Sequence, residues 1–170
     1  KTEFYSMEDE CEKIEQEIRK KYCGRIKAAY GCSLGGSFVS LLIQRKRIHI
    51  EHGIIGSSDM DEAGNLVAKI QASMVVPFMY KMVHTGALPK FMQKKLNKTD
   101  EAKKELYNGF LNMFGIGKGG SPWITKQSIY NQFYSDLVTK VQHGIDVPGT
   151  TIHVFYATKM GKKYEKRYCT

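Results

Sequence analysis

The stretch from Arg25 to Arg45 constrains this chain more than any other. Ile26, Ala28, Ala29 and Tyr30 form a short apolar run, so Arg25 to Tyr30 reads as a buried strand. Gly31-Cys32-Ser33-Leu34-Gly35-Gly36 follows as a tight turn. Ser37 to Arg45 then carries Phe38, Val39, Leu41, Leu42 and Ile43, and reads as a nearly all-apolar helix. Strand, sharp turn and buried helix in immediate succession predict an α/β layer built on a parallel sheet, because such a helix needs a sheet to cover it.

The turn fits the pattern Gly-x-Ser-x-Gly. In that pattern the serine occupies a strained strand-to-helix corner, and its hydroxyl projects above the sheet. Bulky residues two before or two after would collide with neighbouring backbone. Gly31 and Gly35 meet that need, and Gly36 lets the helix approach the sheet. The pattern predicts Ser33 as a nucleophile. It also predicts the Leu34 backbone N–H, at a helix N-terminus, as a donor to a developing oxyanion. Cys32 points the other way along the chain and is expected to pack. The bland alternative is a glycine turn with no chemistry.

Composition narrows the remaining classes. A chain of 170 residues with 42% hydrophobic and 25% charged residues can bury a core and is not disordered. No apolar run reaches the roughly 18–20 residues of a spanning helix, so no membrane span is expected. The net charge is +9. Its lysines gather as Lys90, Lys94, Lys95 and Lys98, and again, with Arg167, as Lys159, Lys162, Lys163 and Lys166; both groups read as solvated faces. Most aromatics sit at buried helical spacing, so no nucleic-acid partner is expected. Cys11, Cys23, Cys32 and Cys169 show neither a CxxC pair nor zinc spacing. No metal is expected, and reduced thiols point to a cytoplasmic setting.

Elsewhere the elements are read coarsely. Ser6 caps a helix whose buried stripe is Met7, Cys11, Ile14, Ile18 and Tyr22, ended by Gly24. Ile48 to Ile55 is a second strand. Glu62 to Ile70 is a helix, and Ser73 to Val83 another, kinked or started by Pro77. Thr99 to Met113 is a charged helix. Ser121-Pro122 starts one whose apolar face is Trp123, Tyr130, Phe133, Tyr134, Leu137, Val138 and Val141. Thr151 to Ala157 is a third strand.

The stretch from Met7 through Gly36, with its Gly-Cys-Ser-Leu-Gly-Gly corner, resembles the α/β-hydrolase superfamily, and most of all its small bacterial lipase/esterase-like branch with a helical lid. The resemblance implies a partial α/β-hydrolase fold: a parallel sheet of about three strands, flanking helices and a helical cap insertion. Residues 1–60 would be hydrolase core, 61–143 the cap, and 144–170 core again. The family builds more strands than three and places its histidine after the acid. The chain is therefore expected to be a fragment lacking N-terminal strands and a C-terminal histidine segment. It would pair as a homo-oligomer or with missing segments that cover exposed edges.

The implied function is a serine hydrolase of carboxylic esters, working through a Ser33 acyl-enzyme without a cofactor, on a small-molecule ester. An acyltransferase or peptidase on the same fold, a non-catalytic relic, and a basic nucleic-acid-binding module are the alternatives. The family's usual acid position reads Ala157-Thr158-Lys159-Met160 here, which holds no carboxylate. Asp59, in Gly-Ser-Ser-Asp-Met-Asp, is the favoured acid; Asp61 and Glu165 stay open. His143 and His153 are weaker candidates for the base, His153 reading as a core residue. Met74, Phe78, Met79 and Met82 form a soft apolar surface fit for an acyl or aromatic group, or for packing the cap.

Overall fold

In the computed structural model, residues 3–58, 62–113, 115–142 and 144–155 are described. Helix α1 (Met7–Tyr22) begins where Ser6 turns extended. The Ser6 Oγ accepts the Asp9 N–H at 3.1 Å and donates to the Asp9 carboxylate at 2.7 Å. Acidic residues fill the first turn and basic ones the last, matching the helix dipole. Cys23 and Gly24 then take positive φ, and the Gly24 N–H returns to the Ile18 carbonyl at 3.2 Å.

The buried stripe of α1 is Met7, Cys11 and Glu15, while Ile14 and Tyr22 are exposed. This corrects the expected stripe, and the cause is electrostatic. Glu15, only 1% exposed, accepts Arg45 Nε at 2.6 Å and Arg45 Nη2 at 3.2 Å. Arg19 and Arg47 lie farther off, at 3.9 and 3.7 Å. A carboxylate this deep is tolerable only when paired. Arg45→Met leaves it two looser, half-solvated cations. The expected loss is about 2 kcal/mol of stability by urea denaturation; an unchanged midpoint would show that the ion pair contributes nothing net.

Strands β1 (Arg25–Cys32), β2 (His49–Gly56) and β3 (Thr151–Phe155) form a parallel sheet in the order β1-β2-β3. Cys32 and Phe155 both pair with Gly56, so the three carboxyl ends finish level. Helix α2 (Leu34–Arg45) makes the crossover between β1 and β2 and packs on both. Gly53 permits the close approach, since a Cβ there would run into Ile43. Val39, Leu41, Leu42, Ile43, Ile50 and Ile55 are the buried apolar residues of this layer. The Met7 N–H reaches the Ser135 Oγ at 2.8 Å, tying the start of α1 to the returning chain.

Two sequence expectations change here. β1 is not buried: it is an edge strand, and Tyr30, on the face that carries Gly56, is 68% exposed. The turn is also shorter than expected. β1 runs through Cys32 and α2 starts at Leu34, so the corner contracts to Ser33 alone.

The chain divides into two compact units, Tyr5–Asn65 with Ser135–Thr170, and Lys1–Phe4 with Leu66–Tyr134. The second unit is helical. It contains most of α3 (Asn65–Thr85), then α4 (Lys90–Asn97), α5 (Glu101–Met113) and the first part of α6 (Lys126–Val138). Ala72, Val76, Val83 and Ile129 are its buried centre, with Met79, Tyr80, Phe133 and Tyr134 packed around them.

The two helices expected over Glu62 to Val83 are one, α3, running through Pro77. At 21 residues it is, by length and composition, long and apolar enough to cross a membrane, a longer apolar element than the two helices expected here. Helix α4 went unread; its Lys90 and Lys94 are exposed, as a solvated face requires. The cap of α6 is Thr125, whose Oγ1 accepts the Ser128 N–H at 3.0 Å. Ser121 is instead buried, its N–H on the Val83 carbonyl at 2.7 Å, and Trp123 lies exposed before the helix. The expected end of β3, Tyr156 and Ala157, falls outside the described residues.

Candidate active site

Ser33 is the single residue joining the carboxyl end of β1 to α2. Its backbone is held at φ 55°, ψ −125°, a conformation that costs a non-glycine residue about 1–3 kcal/mol. The surroundings enforce it. The Ser33 N–H donates to the Gly56 carbonyl at 2.9 Å, and the Ser33 carbonyl accepts the Gly36 N–H at 2.9 Å. The side chain of Ser33 makes no capping bond to α2, and the residue is exposed. A hydroxyl at a helix N-terminus ordinarily caps; this one does not. The first-turn N–H groups of Leu34 and Gly35 have no acceptor within the helix and carry the positive end of its dipole.

The glycines divide their labour differently from the expectation. A Cβ at Gly31 would overlap the backbone carbonyl of Gly35. One at Gly36 would approach Ser58 Cβ to 2.6 Å and Ile55 Cγ2 to 2.9 Å. A Cβ at Gly35 would meet nothing within 4 Å, so that position is not sterically obliged.

The loop after β2 is fastened beside the same corner. Ser57, at φ 45°, donates its N–H to the Phe155 carbonyl at 2.8 Å. Ser58 is buried, its hydroxyl 3.2 Å from that of Ser37 in the first turns of α2. The Ser37–Ser58 contact was not anticipated; two serines so far apart in sequence carry no pairing signal of their own. Asp59 and Asp61, which follow directly, lie outside the described residues, as do His143 and Glu165.

His153 is not a core residue. It sits half-buried on β3, with its Nε2 3.2 Å from His52 Nδ1 on the neighbouring strand. His49 and His52 line an open groove of about 490 Å³ with Arg25, Glu51 and Thr151, at the amino ends of the strands. In open α/β sheets ligands bind at the carboxyl ends, so this groove is on the wrong side for chemistry at Ser33. Among the described residues no group of three or more His, Cys, Asp or Glu is arranged to hold a metal ion.

Cys32 does not pack. It is exposed beside Tyr30, whose phenol is raised above its ordinary pKa first by the electrostatic interaction with Cys32 and then by their side-chain hydrogen bond. Cys11 is the buried thiol; desolvation, opposed by Arg45, pushes it up to about 12, so it stays protonated and inert. Of the four apolar residues read as a substrate surface, Met82 is buried and Met79 packs on the centre of the helical unit. Met74 is exposed, and Phe78 is half-buried against Phe91.

Neither the models of known protein families nor the curated proteins contain a match to this sequence. Among solved structures, the chain is similar to one from Desulfitobacterium hafniense described as an alpha/beta hydrolase family protein. The match has a TM-score of 0.53 and 15% sequence identity, and covers 98% of this chain and 76% of that one. At that identity the likeness is one of fold. With its parallel three-stranded sheet, flanking helices and serine corner, the chain is an α/β protein whose architecture corresponds to part of an alpha/beta hydrolase fold.

Proposed function

We propose that this chain carries the nucleophile of a serine hydrolase acting on carboxylic esters. The observation that carries the reading is Ser33: strained, exposed, at the carboxyl edge of a parallel sheet, with a hydroxyl that caps nothing. The Oγ attacks the ester carbonyl as a general base takes its proton. The tetrahedral oxyanion gathers against the N–H of Leu34. Collapse expels the alcohol, which receives the proton, and leaves an acyl-Ser33. Water, deprotonated by the same base, then releases the acid and restores the serine.

Asp59 remains the favoured acid. Anchoring of Ser58 beside the first turns of α2 supports a carboxylate held near the corner. In the resembled family the base is a histidine following the acid in chain order. His153, bound to His52, is less suited to that role. The helical segment 61–143 is proposed as the cap. Of the apolar set, Met74 is exposed and Phe78 half-buried on the surface of the helical unit.

A fluorophosphonate probe tests the reading, because it reacts with activated serines and spares ordinary ones. The expected result is one adduct, mapped by peptide mass spectrometry to Ser33. Protein that stays unlabelled while a known esterase in the same tube reacts would overturn the assignment. A label on another serine would do the same.

A further inference from the structure

Helix α3 is apolar on two opposite sides. Ala68, Ala72, Val76 and Val83 are buried, and of these Ala72, Val76 and Val83 belong to the core cluster of the helical unit. Leu66, Val67, Ile70 and Met74 are exposed by 71, 50, 53 and 74%. At the helical repeat these four fall in one stripe, turned away from Ala72 and Val76. A helix apolar all round is ordinarily buried all round or in contact with lipid. α3 is long and apolar enough to cross a membrane, yet one side is packed in the core of the helical unit and the other is exposed among the described residues.

The charge around this stripe is of one sign. Phe78, beside the stripe, meets Phe91 of α4 at 5.9 Å between ring centres, and Phe91 is itself exposed. Lys90 and Lys94 of α4 are exposed around Phe91, Lys98 lies just beyond it, and Lys81 continues the stripe along α3. The segment Leu66–Tyr134 holds ten lysines and three acidic residues, Asp100, Glu101 and Glu105. Much of the net charge of the chain thus sits in the unit that exposes the stripe. An apolar surface of this kind marks an interaction site, and its cationic border selects an anionic occupant. A second copy would bring the same lysines against these.

We propose that the exposed face of α3 and α4 docks onto an anionic lipid surface. The stripe enters the headgroup boundary, the lysines meet lipid phosphates, and the helix lies along the membrane rather than across it. The proposal goes beyond the hydrolase reading and does not depend on Ser33.

Vesicle sedimentation tests it, with phosphatidylcholine vesicles and with vesicles enriched in phosphatidylserine. Binding to the anionic vesicles should be about tenfold stronger and should fall several-fold as salt rises. Leu66→Ser/Ile70→Ser should weaken binding roughly tenfold by removing buried apolar area. Lys90→Glu/Lys94→Glu should abolish the preference for anionic vesicles. These positions are exposed, so circular dichroism should match the parent. The single change Ile70→Thr gives a milder loss, about threefold, if the double variant misfolds. Three results overturn the proposal: no binding to either vesicle, anionic binding indifferent to the α3 variants, or a dimer by light scattering that Leu66→Ser/Ile70→Ser dissociates.

Discussion

Gly31→Ala is expected to lose about 4 kcal/mol of stability, a large share of what holds a domain of this size folded. The added methyl would overlap the Gly35 carbonyl and approach the Gly36 nitrogen to 2.7 Å. Those atoms are backbone, so no side chain can swing aside. Either α2 withdraws from the end of β1 or the corner opens, and both expose Val39, Leu41, Leu42 and Ile43. Gly35→Ala is the control. Its methyl meets nothing within 4 Å, and alanine is the better helix former, so a gain of about 0.5–1 kcal/mol is expected. Urea denaturation followed by circular dichroism measures both. A Gly31→Ala midpoint equal to the parent's would show that the corner is not built as described.

Ser33→Gly is expected to make the protein more stable and chemically silent at once. Glycine adopts φ 55°, ψ −125° without the steric cost that serine bears, which relieves about 1–3 kcal/mol. Against this stands the added freedom of glycine in the unfolded chain, about 0.5–1 kcal/mol. The net gain should be about 1 kcal/mol, seen as a higher urea midpoint at an unchanged slope. Fluorophosphonate labelling should vanish in the same variant. Ser33→Ala separates the two effects: it loses the label yet keeps the strain, so its midpoint should stay near the parent's. A Ser33→Gly variant no more stable than Ser33→Ala would mean that the corner stores no strain.

The corner was legible because its sequence signal is local, although Gly56, Ser58 and Ile55 of the neighbouring strand and loop help to hold it. The apolar run, the glycines and the apolar helix lie in one continuous stretch, and the third strand and its parallel class followed from the same logic. What stayed hidden depends on partners distant in sequence. Glu15 could not be read as buried, because the guanidinium that permits it is thirty residues away at Arg45. The exposure of β1 reflects what covers the sheet rather than the residues of the strand. Pro77 reads as a breaker in isolation, but the buried faces of Ala72, Val76 and Val83 hold α3 continuous around it. Ser121-Pro122 imitates a helix start, while the Val83 carbonyl had already claimed the Ser121 N–H.

The level strand ends have a consequence for how the protein is made. Ser33 is stitched to Gly56, and Ser57 to Phe155, so the lateral bonding of the sheet continues one residue past the strands on each side. The first stitch closes across the single parallel crossover through α2 and can form early. The second must wait until nearly a hundred further residues have emerged and the helical unit has been spanned. The Ser33–Gly56 bond is therefore expected to form before the Ser57–Phe155 bond as the chain folds.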